Sequence, residues 1–160
     1  MTKYIKEEEI EEKTIQEISN AIKDGKTIVF KTDTVYGIGT NAFDKEACEK
    51  VYEIKGRPKH KPLCVLITNI SMLKLMVENI NPIEQKLIDT FWPGPLTIKF
   101  RKKENVLPDI ISAGDEFIRV RLLKDGVVYR LIEAAGVPLV APSANLSGNS
   151  TGINIKNIIN

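Results

Sequence analysis

Apolar residues recur at helical spacing in four segments of the chain, and short apolar runs separate those segments. Ile15, Ile18 and Ile22 follow a helical period, and Asp24-Gly25 closes that segment. The shorter runs have the length and composition of strands. The pattern predicts helices within residues 15–24, 44–56, 81–91 and 127–135, and strands at 27–31, 63–67, 96–101, 117–123 and 137–141.

The ends of two predicted helices carry recognisable signals. Asp44 is placed to cap the second helix, and Asn81-Pro82 starts the third, with proline at the first helical position. We expect a loop at residues 32–39 and a loose segment around Leu73. The apolar faces are predicted to be Ala47, Val51 and Ile54 on the second helix and Ile83, Leu87 and Phe91 on the third.

Residues 96–101 alternate between apolar and polar side chains, which is typical of a half-exposed strand. The apolar face is Leu96, Ile98 and Phe100, and the polar face is Thr97, Lys99 and Arg101.

Strands and helices interleave along the chain, but the strands are irregularly spaced. This arrangement predicts the α/β class, with a twisted, open, mixed sheet flanked by helices. No internal repeat or long linker divides the 160 residues, so we expect a single domain over residues 1–160.

Net charge is only +2, but the charges are unevenly distributed. Acidic residues crowd the first twelve positions, and basic residues cluster at 55–61, 99–103 and 119–124. The clusters form an anion-binding surface if the fold gathers them, and they are ordinary solvated charges if it does not. Charge alone favours the second interpretation.

Cys48, Cys64 and His60 do not have the spacing of zinc ligands. A disulfide between the cysteines remains open, although buried reduced thiols are the more common state of such residues. The sequence has no apparent signal peptide and no apolar run of membrane-spanning length. We expect a cytoplasmic protein without a membrane partner.

Three segments contain more polar and charged side chains than a purely structural connection needs. Residues 31–39 combine hydroxyls, a carboxylate and glycines after a buried strand, which suits either a small ligand or a simple turn. Residues 55–63 contain four cations and two prolines that stiffen the loop, and Arg57 there could bind a phosphate through two hydrogen bonds. Residues 141–152 are rich in small hydroxyl and amide side chains that suit a nucleotide or a polar surface loop.

The first and third of these loops both follow predicted core strands, where ligands gather in open α/β sheets. The phosphate-binding signature of P-loop proteins is absent from the sequence, as is the dinucleotide-binding glycine pattern. If the chain uses ATP, it must hold the phosphates by another arrangement.

Four motifs occur in series: residues 31–39 (KTDTVYGIG), 54–66 (IKGRPKHKPLCVL), 91–99 (FWPGPLTIK) and 142–148 (PSANLSG). In order and spacing they resemble the YrdC family of threonylcarbamoyl-AMP synthases, over about residues 15–152. The resemblance implies a YrdC-like fold with a positively charged concave face. It also implies a nucleotidyltransferase that condenses L-threonine, bicarbonate or CO2 and ATP into threonylcarbamoyl-AMP and pyrophosphate for tRNA modification.

The resemblance also implies roles for particular residues. The catalytic set is Lys55, Arg57, Ser143 and Asn145; the ATP site is Arg57, Lys61, Thr97, Ser143, Asn145 and Thr151; and the L-threonine site is Thr34, Arg101 and Ala141. Lys55 and Arg57 would stabilise charge on the phosphates. Mg²⁺ would enter with ATP, held by phosphates and water and by no protein side chain. No tightly bound organic cofactor is expected.

Expected partners are the three substrates, downstream proteins that transfer the threonylcarbamoyl group, and tRNA or double-stranded RNA. Relatives of this kind continue beyond the region of Thr151 with a further strand and a late Arg-x-Gly. The sequence lacks that segment, so we expect an open wall in the ATP pocket. Alternative interpretations are an RNA-binding module, a carbamoyl-adenylate domain of the hydrogenase-maturation kind, and a catalytically impaired short relative.

Overall fold

The computed structural model describes residues 2–32 and 35–150, and its centre is a six-stranded open sheet. The order across the sheet is β1-β2-β6-β3-β5-β4, so the last strand in sequence lies in the middle. The strands are β1 (Ile28–Lys31), β2 (Tyr36–Asn41), β3 (Cys64–Ile67), β4 (Ile98–Arg101), β5 (Phe117–Leu122) and β6 (Leu139–Val140).

The sheet is mixed, as the irregular strand spacing predicts. Strands β3 and β5 are parallel, with Val65 opposite Val120, and every other neighbouring pair is antiparallel. Because β1 and β6 are both antiparallel to β2, they run in the same direction, and the segments that follow them leave the same edge of the sheet.

Helices pack on this sheet and on each other. The helices are α1 (Glu12–Lys23), α2 (Lys45–Lys55), α3 (Ile70–Met76), α4 (Pro82–Phe91), α5 (Asp109–Ser112) and α6 (Val127–Ala135), and a 3₁₀ turn covers Glu7–Glu9. Helix α1 contacts α6, where the buried Ser19 hydroxyl donates to Leu131 O at 3.2 Å. Helix α2 packs on β2 and ends at the loop that leads to β3.

Both predicted helix caps are confirmed. The Asp44 carboxylate accepts from Ala47 N at 3.0 Å. Asn81 and Glu84 form a reciprocal capping box, each side chain bonded to the other's backbone N–H. These bonds pair N–H groups that the first helical turn cannot satisfy internally.

The loop expected at residues 32–39 is wrong for its second half, because residues 36–41 form strand β2. Gly37 and Gly39 lower the strand propensity of this segment, which is why it reads as a loop. At both positions, other atoms of the fold lie too close to leave room for a side chain. A side chain at Gly37 would meet the Phe30 ring at 2.5 Å, and one at Gly39 would meet Val140 O at 2.5 Å.

The loose segment expected around Leu73 is a helix, α3. Asn69 caps it by accepting from Met72 N at 2.9 Å, and Leu73 and Met76 are fully buried. Leu75 points outward and is 57% exposed. The helical period is hard to recognise in the sequence because, of the apolar residues Leu73, Leu75 and Met76, only Leu73 and Met76 face the core.

Both predicted helix faces also need correction. Helix α2 buries Val51 as expected, but Tyr52 faces the core and Ile54 is 46% exposed. In α4 the expected stripe lies largely in solvent, with Ile83 74% and Phe91 52% exposed, and Ile88 is the buried residue. Adjacent side chains of a helix point about 100° apart around its axis, so Leu87 and Ile88 lie on different faces. The face that packs against the protein core is the one with Ile88.

The described residues contain no helix that is long and apolar enough to cross a membrane. Within the same residues, no group of three or more histidine, cysteine, aspartate or glutamate side chains could hold a metal ion.

Candidate active site

The three loops singled out from the sequence converge at one edge of the sheet. The segment after β6 pairs with the start of β2, where Gly37 and Ser143 form an isolated antiparallel bridge. Ile38 N donates to Pro142 O at 3.0 Å on the same seam. On its other side, Ala141 N donates to Cys64 O at 2.9 Å, which ties the segment to the entry of β3.

The loop after β1 begins with a turn around Thr32. Val35 N donates to the Thr32 hydroxyl oxygen at 3.1 Å, and Thr32 N donates to Val35 O at 3.3 Å. Thr34, expected to contact L-threonine, lies outside the described residues. Thr151, expected at the nucleotide, lies outside them as well.

The loop between α2 and β3 is organised by Arg57. Gly56 ends α2 in the left-handed conformation at φ 55°, which turns the chain sharply away from the helix. The guanidinium then donates from Nε to Lys61 O at 3.1 Å and from Nη2 to Pro62 O at 2.8 Å. Two of its five N–H groups therefore hold this loop in place.

Tyr52 supports the same loop from below. Its hydroxyl lies 2.7 Å from Lys61 O and 2.8 Å from Ile110 O. Burial raises the pKa of Tyr52, so its hydroxyl keeps its proton as a hydrogen-bond donor. The Lys61 side chain is exposed at the outer end of the loop, where a charged ligand could reach it.

Lys55, the last residue of α2, is only 3% exposed. Its ammonium donates to Asn145 O at 2.6 Å and to Ser143 O. Burial and the neighbouring Arg57 guanidinium lower the pKa of Lys55 to about 8, so the group is still mostly charged at neutral pH. The structure thus places this cation inside the loop and away from the surface.

Ser143 and Asn145 contact each other directly. The Ser143 hydroxyl donates to Asn145 Oδ1 at 2.5 Å, and Asn145 Nδ2 donates to Asn149 O at 2.9 Å and Leu146 O at 3.1 Å. The two side chains expected at the nucleotide are therefore adjacent and held in defined positions.

Basic residues line the solvent-facing side of β4 and β5. Lys99 is opposite Arg119, and Arg119 is in turn opposite Cys64 on β3, so these three side chains form a row across the sheet. Arg101 is opposite Phe117 in the next row. Thr97 is exposed just before β4 on the same polar face, as the alternation predicts.

Two cations lie close to the aromatic ring of Phe117. Lys99 Nζ is 4.9 Å and Arg101 Cζ 5.2 Å from its centroid. Each cation also has an acidic neighbour, since Lys99 pairs with Asp115 and Arg101 with Glu116, both at 3.1 Å.

The fold brings together only part of the basic clusters. Lys102 lies apart from Lys99 and Arg101 and bonds Asp109 at 2.8 Å and Ser112 at 2.9 Å. Lys103 donates to Lys74 O at 2.7 Å beside α3.

Arg119 and Arg121 are absent from the residues predicted for the site, yet they lie on this basic face. Arg121 donates from Nε to Gly94 O at 3.3 Å. The alternation of β5, with Ile118, Val120 and Leu122 buried, is the signal that could have found them. Arg119 is paired with Cys64 in the strand register, and the Cys64 carbonyl accepts a hydrogen bond from Ala141 N. Arg101 lies on β4, which is one strand further from Ala141.

Both cysteines are free thiols, so the open question of a disulfide is settled in favour of the reduced form. Burial raises the pKa of Cys48 to about 12. Burial also raises the pKa of Cys64, opposed by the Thr97 hydroxyl and by Arg121 and Arg119. Neither thiol has the lowered pKa of a nucleophilic cysteine.

Comparison with known proteins agrees with this architecture. A Threonylcarbamoyl-AMP synthase of Pyrococcus abyssi is 40% identical over 141 residues, which cover 88% of this chain and 41% of that protein. A Putative threonylcarbamoyl-AMP synthase of Methanocaldococcus jannaschii is 34% identical over 97% of this chain and 72% of its own length. The chain therefore spans about two-fifths of the Pyrococcus relative.

A solved structure has the same fold. The crystal structure of P. abyssi Sua5 complexed with L-threonine superimposes with a TM-score of 0.87 at 37% identity, covering 93% of this chain and 44% of that one. The Sua5_yciO_yrdC family model, described as Telomere recombination, matches residues 20–160. Motifs, fold and family model agree, and the chain belongs to the Sua5/YciO/YrdC family.

Proposed function

We propose that this chain is the adenylate-forming domain of a threonylcarbamoyl-AMP synthase. The observation that carries the proposal is the convergence at one sheet edge of the three loops that hold Arg57, Ser143 and Asn145. Basic residues also line strands β4 and β5 of the same sheet. Relatives named Threonylcarbamoyl-AMP synthase support the same activity. The related protein crystallised with L-threonine supports an amino-acid substrate.

The reaction needs alignment and charge neutralisation more than a strong acid or base. The neutral threonine amine attacks CO2 to form a carbamate and release a proton, or it attacks bicarbonate to form the same carbamate and release water. A carbamate oxygen then attacks the α-phosphorus of ATP, and the bond to the β-phosphate oxygen breaks to release pyrophosphate. Negative charge shifts to the leaving group, where cations stabilise the transition state.

Arg57 and Lys61 are our candidates for the phosphates. Arg57 is held by two carbonyls of its own loop, so a phosphate would meet a guanidinium that is already oriented. Lys61 is exposed at the same loop. Mg²⁺ would enter bound to ATP, held by phosphates and water.

The remaining assignments follow the resemblance to the family. Ser143 and Asn145, with Thr97 and Thr151, would hold the nucleotide, and Thr34 with the backbone of Ala141 would hold L-threonine. Arg101 is our candidate for the threonine carboxylate, and Arg119 competes because it is nearer to Ala141 by strand register. Replacing each by Ala and measuring the KM for L-threonine distinguishes the two.

The product would pass to proteins that transfer the threonylcarbamoyl group to tRNA. We place this activity in the cytoplasm, where ATP, bicarbonate and tRNA meet. The class of reaction is nucleotidyl transfer, because the adenylate is formed as pyrophosphate leaves.

The decisive experiment mixes the protein with ATP, Mg²⁺, bicarbonate and L-threonine and measures pyrophosphate, with mass spectrometry for the adenylate. We expect release that requires both threonine and bicarbonate and that falls at least about tenfold in Arg57→Ala. Arg130→Ala is the matched control, because Arg130 pairs with Glu12 on α1. Release without threonine, or an unaffected Arg57→Ala variant, would refute the proposal.

A second candidate function is binding of an RNA backbone, favoured by Lys99 and Arg119 on the open face of β4 and β5. Lysine and arginine on a sheet surface contact phosphates largely without regard to sequence. The affinity for a short RNA duplex would then fall steeply as the salt concentration rises. It would also fall in the Arg119→Ala variant. A chain that binds duplex RNA but releases no pyrophosphate would favour this function over the synthase.

A further inference from the structure

Lys55 occupies an unusual position for a lysine at the end of a helix. A cation in the last turn of a helix normally extends into solvent near the terminal carbonyls. Lys55 is instead 3% exposed, similar to the buried apolar residues Ala47 and Tyr52 of the same helix. A buried ammonium requires compensating acceptors.

Those acceptors come from a loop almost ninety positions later in the chain. The ammonium donates to Ser143 O and, at 2.6 Å, to Asn145 O. Ser143 O also accepts from Asn145 N at 3.0 Å, which closes a tight turn between these residues. The cation therefore holds together two carbonyls that would otherwise be free to rotate apart.

The backbone of Lys55 grips the same loop further along. Ser147 N donates to Lys55 O at 2.8 Å. One residue thus fastens the loop twice, through its side chain at 143 and 145 and through its carbonyl at 147. The Ser143 and Asn145 side chains, bonded to each other at 2.5 Å, belong to the two residues of the first attachment.

We infer that Lys55 is a positioning residue that shapes the 143–147 loop for the nucleotide through the Ser143 and Asn145 carbonyls and does not itself hold a phosphate. This inference rests on the proposed function, because it assumes that Ser143 and Asn145 contact the nucleotide. The two neighbouring cations would then have different roles: Arg57 binds phosphate, and Lys55 holds the 143–147 loop in position.

The alternative, direct contact with phosphate, conflicts with the burial of the group. To reach a phosphate the ammonium must leave both carbonyls, so Asn145 O would lose its hydrogen bond from Lys55 and Ser143 O would keep the one from Asn145 N. Arg57 is close enough to lower the pKa of Lys55, yet it is more exposed and already oriented by its own loop. A phosphate is more easily bound by the guanidinium.

Binding measurements with and without phosphates test the inference. Wild type, Lys55→Met and Arg57→Ala are titrated calorimetrically with ATP and with adenosine. We expect Lys55→Met to weaken both ligands by the same factor, about tenfold, because the loop that receives the nucleoside is displaced. Arg57→Ala should weaken ATP by about tenfold and leave adenosine unchanged.

Each other outcome has a definite meaning. A loss of ATP affinity alone in Lys55→Met would show direct phosphate contact and overturn the inference, while the proposed function stands. Unchanged affinity for both ligands would overturn it as well. Failure of the wild type to bind either ligand would overturn the proposed function and the inference together.

A measurement on the wild type covers the case in which Lys55→Met does not fold. In protein labelled with ¹⁵N at lysine side chains, the buried ammonium of Lys55 is distinguishable from exposed lysines by slow proton exchange. We expect ATP and adenosine to shift this signal equally. A shift or a through-bond coupling to ³¹P that appears only with ATP would overturn the inference.

Discussion

Gly37 lies directly opposite Ser143 in an antiparallel bridge that extends the pairing of β2 beyond the end of β6. Ala144 N donates to Tyr36 O at 2.7 Å beside it. A residue from the middle of the first loop motif therefore positions a residue of the third. The candidate site is in this sense a continuation of the sheet, held by the same hydrogen-bond pattern.

The glycines of β2 should be hard to replace. Gly39→Ala should lower the free energy of unfolding by about 1–3 kcal/mol, because its new methyl group would meet Val140 O, a backbone atom of a central strand. Urea unfolding measures the loss. Gly37→Ala should cost less, because its obstacle is the Phe30 ring, and Phe30→Leu should recover part of that cost. Equal costs without recovery would contradict this explanation.

The cap of α4 permits a clean measurement of one hydrogen-bond pair. Asn81→Ala should cost about 0.5–2 kcal/mol, because it removes the acceptor for Glu84 N at 2.8 Å. Asn81→Asp is the matched control and should stay close to wild type, because its carboxylate can accept the same hydrogen bond. Thermal unfolding of the three proteins suffices, and an Ala variant as stable as the Asp variant would argue against the cap.

The lowered pKa of Lys55 gives stability a defined pH dependence. The native state releases this proton near pH 8, whereas the unfolded chain keeps it up to about 10.5. Between these values the unfolded state binds more protons, so the free energy of unfolding should rise with pH. The difference between wild type and Lys55→Met isolates this residue, and a difference that falls from pH 8 to pH 10 would contradict the assignment.

The ring of Phe117 should stabilise the basic face. Phe117→Leu removes the aromatic ring that Lys99 and Arg101 both contact, so we expect a loss of about 1–2 kcal/mol. Phe117→Tyr keeps the ring and should stay close to wild type in urea unfolding. If Leu is tolerated as well as Tyr, apolar burial alone accounts for this position.

Local signals in the sequence were sufficient for much of the fold. The alternation at 96–101 predicted that Lys99 and Arg101 share the exposed face, and the capping residues Asp44 and Asn81 start helices as expected. These features depend on neighbours within a few positions. The α/β class follows from the same short-range patterns.

Features decided by distant contacts were missed. Strand β2 depends on the Phe30 ring and on Val140 O, which explain its glycines but leave no trace in the local pattern. The burial of Ile88 in place of Ile83 and Phe91 depends on how α4 sits against its neighbours. Lys55 looks like any lysine at a helix end, and only the strand order reveals that the third loop encloses it.

The place of β6 between β2 and β3 affects how the chain can be made. During synthesis, β1 and β2 emerge first and β3, β4 and β5 follow, but these two groups have no strand pairing in common until Leu139 and Val140 arrive. A nascent chain that has reached residue 130 therefore leaves the inner edges of β2 and β3 open, in addition to the outer edges of β1 and β4, and open edges can pair with other chains. Leu139 and Val140 pair with β2 and β3 together. Only after that can Lys55 donate to the carbonyls of the segment that follows β6. Ribosome-bound chains of this protein are most exposed to aggregation immediately before the site forms.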